Sequence, residues 1–322
     1  MGQFAKIIAT ASYTPDNVVT NDDLSQILDT NDEWIYSRTG IKERHISTGQ
    51  DTSDLCIEVA KKLLDESGYD ASDIDFIIVA SMTPDYQSPS TACIVQGAIE
   101  AKNAWAIDVS AACSGFVYAL TVAEKMIGGS NKRGMVIAGD VMSKAVDWSD
   151  RSTAVLFGDG AGGVILESSQ KQHILSSNLY AQGKKANCLQ SGKSPVTNPW
   201  IKSDSLSKEN SFEKLSMNGR QIFSFVVGNV SKTIKDYSEQ IDYYLLHQAN
   251  ARILDQVSKK IGQPREKFLQ NIEKYGNTSS ASVAILLDEA IKNEILTLGS
   301  GQQILLSAFG GGLTWGNILI KL

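Results

Sequence analysis

Long apolar runs are missing from this chain of 322 residues. None approaches the roughly 20 consecutive apolar residues that span a bilayer, so membrane insertion is not expected. The opening residues 1–8 lack the charged start, long apolar stretch and small-residue cleavage site of a secretory leader, and read as a short strand. Cysteine is sparse. The four, at positions 56, 93, 113 and 188, form no Cys-x-x-Cys pair, so neither a metal site nor a disulfide framework is implied. The expected location is cytoplasmic, where the sequons at Asn229 and Asn277 are chance matches. Positive charge is also outweighed: 30 Lys and Arg against 36 Asp and Glu leave a net charge of −6, which argues against non-specific nucleic-acid binding. Histidine occurs only three times, which narrows the candidates for proton chemistry.

The chain is long enough to bury a large core, as one domain or as two similar halves. Weak internal likeness favours two halves, residues 1–170 and 171–322. The buried-strand run that starts at Asp75 is answered by one that starts at Asp242. Ile107–Phe116 then finds a counterpart in Phe268–Tyr275, each followed by a helical stretch. Each half closes on a glycine turn and an apolar strand, from Phe157 and from Phe309. Alternating strands and helices predict an α/β protein with helices packed on sheets. Residues 190–216 are polar and rich in Ser, Lys and Asn, and read as an exposed insertion. Gly158–Gly163 matches Gly-x-Gly-x-x-Gly, but a strand follows where a dinucleotide site needs a helix. Cys56 and Cys93 fall in helical apolar patterns and read as packing residues.

Cys113 stands out. An apolar run ends at Val109, small residues follow, and an amphipathic helix begins with Phe116, Leu120, Ala123 and Ile127. Strand, turn and helix in that order put the sulfur at a helix N-terminus, where unpaired N–H groups favour a thiolate. A buried structural cysteine is the alternative reading. Among the histidines, His45 and His173 sit in polar surroundings, whereas His247 ends a buried strand, where α/β active sites collect. Asn277 is either a helix cap or a donor to developing negative charge. The glycines 310–312 allow close backbone approach and could present N–H groups to an oxyanion.

Together these strings resemble β-ketoacyl-acyl-carrier-protein synthase III, the initiating condensing enzyme of bacterial fatty-acid synthesis. The likeness runs through Asn31–Ile35, Arg38–Ile41, Ala111–Phe116, Leu156–Gly162, His247–Asn250, Gly276–Ser279 and Phe309–Gly316. It implies a thiolase-type fold, two related halves in five αβαβα layers, and a homodimer. It also implies an acyltransferase that condenses an acyl-CoA primer, acetyl-CoA by expectation, with malonyl-acyl carrier protein. In that role Cys113 carries the acyl group, and His247 and Asn277 stabilise the enolate formed by decarboxylation. The main-chain N–H groups of Cys113 and Gly311 form the oxyanion hole. Coenzyme A thioesters are substrates, and no metal or cofactor is expected. The coenzyme A groove maps to Trp34, Arg38, Arg151, Phe223 and Asn250, with adenine between Trp34 and Arg151. The carrier protein would meet Gln248, Ala249, Asn250, Ala251, Arg252, Lys259 and Lys260, a basic face of a helix whose buried side is Ile253, Leu254, Val257 and Ile261. Ser88 stands where the family often has Phe at the partner subunit's acyl pocket, so primer choice stays open. Relatives that make polyketides, quinolones or 3-hydroxy-3-methylglutaryl-CoA are the alternative.

Overall fold

A computed structural model describes residues 4–193, 196, 200, 214–237 and 241–322. Most of the polar stretch expected as an insertion therefore lies outside the described residues. The first half contributes β1 (Phe4–Tyr13), α1 (Asp32–Thr39), α2 (Thr52–Ser67), β2 (Phe76–Ala80), α3 (Thr91–Ala98), β3 (Trp105–Val109), α4 (Gly115–Met126), β4 (Arg133–Asp140) and β5 (Gly160–Ser169). The second contributes β6 (Ile174–Ala181), α5 (Gly219–Phe225), β7 (Tyr243–Leu246), α6 (Ala251–Ile261), α7 (Ser282–Lys292), β8 (Gln303–Gly310) and β9 (Thr314–Lys321).

Among the described residues these strands form two main sheets, in the orders β1-β5-β4-β2-β3 and β7-β8-β9-β6. The halves repeat each other in direction as well as order. β1, β5 and β4 pair antiparallel, then β4-β2-β3 run parallel. β6, β9 and β8 likewise pair antiparallel, β8-β7 is parallel, and a parallel bridge from Tyr244 to Phe268 stands where a fifth strand would lie. The two sheets thus share one pattern of strand order and direction.

Burial on both faces of each sheet explains the unbroken apolar runs of the central strands. In β2, Phe76, Ile78 and Ala80 face the middle of the molecule, while Ile77 and Val79 face outward under α2 and α3. In β8, Ile304, Leu306 and Ala308 face the middle, and Leu305 and Phe309 face α5 and α6. The central layer is α4 with α7, each packed between the two sheets. The result is five layers, α2/α3, sheet, α4/α7, sheet, α5/α6.

Local chemistry fixes where the helices start and stop. α2 opens on a capping box in which the Asp51 side chain accepts from Asp54 N and the Asp54 side chain accepts from Asp51 N at 2.8 Å. It ends at Gly68, whose φ of 69° suits a residue without Cβ. Leu55, Cys56, Val59, Ala60 and Leu63 recur at helical spacing and are fully buried. Fully removing one such Leu or Val from water contributes about 1.5–3 kcal/mol.

One carboxylate ties the halves together. Asp140, fully buried at the end of β4, accepts from Ser81 Oγ (2.9 Å), Met82 N (2.8 Å) and both the N–H and hydroxyl of Thr83 in the first half. From the second half it accepts the N–H (3.0 Å) and hydroxyl (2.6 Å) of Ser280. A buried charge survives only when its oxygens are satisfied in this way. Asp140→Ala strands those donors and is expected to cost about 3 kcal/mol or more, with a smaller loss for Asp140→Asn. Urea unfolding measures this; an unchanged midpoint for the alanine variant would contradict it.

Candidate active site

Between β3 and α4 the chain makes a single 3-10 turn, Ala112–Ser114, and Cys113 is its middle residue. Ala112 is held at φ 46°, a left-handed conformation that costs a non-glycine residue energy and is common at functional sites. Ser114 Oγ donates to Ala111 O at 2.6 Å and locks the turn. Gly310 packs against it: a Cβ there would lie 2.6 Å from Cys113 N, so only glycine fits. The second half uses the same device. Ser279–Ala281 forms a 3-10 turn ahead of α7, and Ser279 is held at φ 52°. The two turns touch, with Cys113 Sγ 3.5 Å from Ser279 Oγ.

Asn277 lies just before that second turn. Its Oδ1 accepts from Ser279 N at 2.9 Å, and its own N–H donates to Leu156 O at 2.8 Å. Nδ2 donates to no described residue. His247 follows β7, with its N–H donating to Ser307 O at 2.8 Å. Its ring meets Phe309 edge-on with centroids 5.1 Å apart, and Nδ1 lies 2.6 Å from Ser282 Oγ. Cys113, His247 and Asn277 are each buried, at 6%, 2% and 6% exposure. All three line one cavity of about 40 Å³, walled also by Met82, Phe157, Leu189 and Phe309. That volume admits no more than a few waters.

Burial sets the protonation states. It pushes the Cys113 thiol up to about 12, against a partial offset from the Ser279 hydroxyl. The thiolate expected from the helix N-terminus is therefore overruled in the resting site by loss of water. Burial also pulls His247 down to about 3. At neutral pH the cavity holds a neutral thiol and a neutral imidazole. The imidazole is then a hydrogen-bonding group rather than a cation, and any bond formed at the sulfur requires the thiol to shed its proton.

The other expected residues fall in three places. Trp34, Arg38, Arg151 and Asn250 come together: both guanidinium carbons lie 4.6 Å from the Trp34 ring centre, and Asn250 Nδ2 donates to Arg38 O at 3.0 Å. A purine between Trp34 and Arg151 requires that pair to part. Phe223 is exposed on α5, while its neighbour Ile222 lines the catalytic cavity. On α6, Arg252, Lys259 and Lys260 are exposed over the expected buried face, and Arg252 Nη2 donates to Ser37 O at 2.7 Å. Gln248 departs from expectation. At 1% exposure it braces the site, donating to Leu246 O at 2.8 Å and accepting from Asn271 N at 3.1 Å, and cannot meet a partner protein. Half-buried Ala249 lines the catalytic cavity, as does Gly310; Gly311 lines an adjoining one with Ala112. Ser88 is exposed, beside Gln87, which lines a larger cavity of about 650 Å³ that Met82 also lines.

Two local readings also change. His45, expected in polar surroundings, lies in a strand, Glu43–His45, next to Arg44. Arg44 is fully buried, its guanidinium spent on Val19 O, Asn21 Oδ1 and Val155 O, and burial lowers it to about 10. It braces the end of the short helix Arg151–Ala154 that carries Arg151. Cys93 is exposed rather than packed. Sequence reasoning missed Asp140, Arg44, Ser279 and Ser282; of these Ser279 alone sat inside a string already under suspicion, Gly276–Ser279. Among the described residues no cluster of His, Cys, Asp and Glu could hold a metal ion, and no helix is long and apolar enough to cross a membrane.

Comparison with known proteins adds a lineage. The family model described as 3-oxoacyl-[acyl-carrier-protein (ACP)] synthase III matches residues 107–183, and the model of its C-terminal part matches 236–322. Beta-ketoacyl-[acyl-carrier-protein] synthase III of Streptococcus equi subsp. zooepidemicus is 55% identical over 327 residues, covering 99% of each chain. The protein of that name from Enterococcus faecalis is 52% identical over 325 residues, covering 100% of each. The crystal structure of 3-oxoacyl-[acyl-carrier-protein] synthase III from Aquifex aeolicus matches with a TM-score of 0.89 at 41% identity, covering 99% of this chain and 100% of its own.

The buried imidazole carries a pH signature. An unfolded histidine takes up a proton below about pH 6.5, which the folded His247 refuses down to about 3. Stability is therefore lost as pH falls through that window. Between pH 7 and pH 5 the wild type should lose about 2 kcal/mol more than His247→Gln, measured by urea unfolding at both pH values. Equal losses would contradict a neutral buried imidazole.

Proposed function

This chain belongs to the β-ketoacyl-acyl-carrier-protein synthase III family and is an acyl-transferring condensing enzyme of fatty-acid synthesis, and we propose that Cys113 carries its primer. The reaction is the initiating decarboxylative condensation of an acyl-CoA with malonyl-acyl carrier protein, giving 3-oxoacyl-acyl carrier protein, CoA and carbon dioxide. What supports the assignment of roles is the confinement of one thiol, one neutral imidazole and one free carboxamide N–H in a single small apolar cavity.

In the first half-reaction Cys113 Sγ attacks the acyl-CoA carbonyl carbon. The new S–C bond replaces the bond to the CoA sulfur, which leaves with the thiol's proton. A thioester is exchanged for a thioester, so the step is close to balanced and readily passes the acyl group on. Oxyanion charge in both tetrahedral intermediates is met by the main-chain N–H of Cys113 together with that of Gly311 or its cavity-lining neighbour Gly310.

In the second half-reaction the malonyl carboxylate departs as carbon dioxide and leaves its electron pair as an enolate. His247 and Asn277 donate hydrogen bonds to the thioester oxygen where that charge collects, which strengthens both bonds as the transition state is reached. The enolate carbon then attacks the acyl-cysteine, a C–C bond forms, and the released Cys113 sulfur takes up a proton. Every electron pair and proton is placed without a metal or cofactor, and we propose that none is needed. A cavity of about 40 Å³ suits a two-carbon primer and keeps water from the acyl-enzyme.

The exposed basic residues Arg252, Lys259 and Lys260 on α6 present a face for the acidic carrier protein. A homodimer is supported by β3, an edge strand that exposes Trp105 and Ile107 at 37% and 39%. Such an apolar open edge invites aggregation unless a second copy covers it, and Ser88 lies on the loop leading into that region. We place the enzyme in the cytoplasm, where its acyl-CoA and carrier-protein substrates are held.

Intact-protein mass spectrometry tests the central role. Incubation with acetyl-CoA should add one acetyl group to the wild type and none to Cys113→Ala, whereas His247→Ala should acetylate yet release little carbon dioxide from malonyl-acyl carrier protein. Acetylation of Cys113→Ala would remove the assigned nucleophile.

A further inference from the structure

We propose that Ser282 is a positioning residue that fixes His247 in the tautomer protonated on Nε2, so that the imidazole meets the malonyl thioester as a donor. The inference rests on the role given to His247 above and goes beyond it to what selects that role. A neutral imidazole has one donor and one acceptor nitrogen, and which is which depends on the partner of the ring's other nitrogen.

Ser282 Oγ lies 2.6 Å from Nδ1. Both residues are 2% exposed, so neither group has water to fall back on. The direction of the bond follows from the rest of the serine's surroundings. Gln248 N–H points at Oγ from 3.4 Å and occupies it as an acceptor. Among the described residues Oγ makes no hydrogen bond to any other oxygen, which leaves Nδ1 as the acceptor for the hydroxyl proton. The opposite arrangement, Nδ1–H donating to Oγ, would strand that proton in a buried site, an expensive outcome. It would also turn the Nε2 lone pair toward the developing enolate and replace an attraction with a repulsion.

Gln248 is itself rigid, held by Leu246 O and Asn271 N, so the N–H that sets the serine does not wander. Asn277 is oriented by the same segment. Ser279 N–H occupies its Oδ1 and turns Nδ2 to the cavity. Residues 279 and 282, three apart in the turn before α7 and at its first residue, therefore select the donor end of both side chains.

The test is nitrogen-15 NMR of histidine-labelled enzyme, with the His247 signals assigned by their loss in His247→Gln. The wild type should show a neutral ring protonated on Nε2 and unprotonated on Nδ1. Ser282→Ala should show a mixed or inverted tautomer, normal acetylation by acetyl-CoA, and decarboxylation of malonyl-acyl carrier protein slowed by roughly 10- to 100-fold, up to the loss from deleting one oxyanion donor. Ser282→Thr, which keeps the hydroxyl, should recover most of the rate. A wild-type ring protonated on Nδ1 overturns the proposal even if Ser282→Ala does not fold. Full decarboxylation by Ser282→Ala overturns it as well. Should His247→Ala decarboxylate normally, the role of His247 fails first; if only Ser282→Ala is unaffected, the positioning role fails alone.

Discussion

Cys113, His247 and Asn277 are taken out of water together, and most of the structure around them answers the cost of doing so. A polar group in an apolar cavity must be neutral, partnered, or aimed at something that will arrive. The thiol and imidazole respond by staying neutral. The polar ends that do not face the cavity are spent on fixed partners, Asn277 Oδ1 on Ser279 N–H and His247 Nδ1 on Ser282. What remains unspent in the cavity is two nitrogens, beside a sulfur whose hydrogen-bonding contact is the Ser279 hydroxyl. Binding energy from a substrate is then needed only where charge develops, which is the condition for lowering a barrier rather than tightening a ground state.

Duplication supplies the means of bringing these groups together. Each half turns from its sheet into a central helix through a 3-10 turn with a left-handed residue, Ala112 in one and Ser279 in the other. Such backbone conformations persist only where the surroundings over-determine them. Here the over-determination is mutual: the turns press on each other, Gly115 leaves room for Ser280 and Gly310 leaves room for Cys113, and Asp140 gathers donors from both halves. The same carboxylate sits close enough to raise the Cys113 thiol further. The clamp that builds the site therefore also discourages a standing thiolate.

Much of this was legible in the chain. The strand-turn-helix order around Cys113, the buried run before His247 and the echo between the two glycine turns each follow from local periodicity, and the architecture keeps all of them. The buried face of α6 was readable for the same reason, since helical spacing alone separates Ile253, Leu254, Val257 and Ile261 from Lys259 and Lys260. What the chain hid was long-range compensation. Arg44 looks solvated among Lys42, Glu43 and His45, yet it is fully buried because carbonyls from positions 19 and 155 converge on it. Gln248 looks like surface beside Asn250 but is held inside by Asn271. The helix N-terminus suggested an ionised Cys113; the depth of the cavity, which no local pattern records, decides otherwise.

A crystal structure of the acetylated enzyme with a malonyl-thioester analogue that cannot lose carbon dioxide tests the central claim most directly. The account predicts the analogue's thioester oxygen within about 2.7–3.2 Å of both His247 Nε2 and Asn277 Nδ2, with its nucleophilic carbon facing the acetyl group on Cys113. An oxygen held by neither nitrogen, or an acetyl group on any other residue, would contradict it.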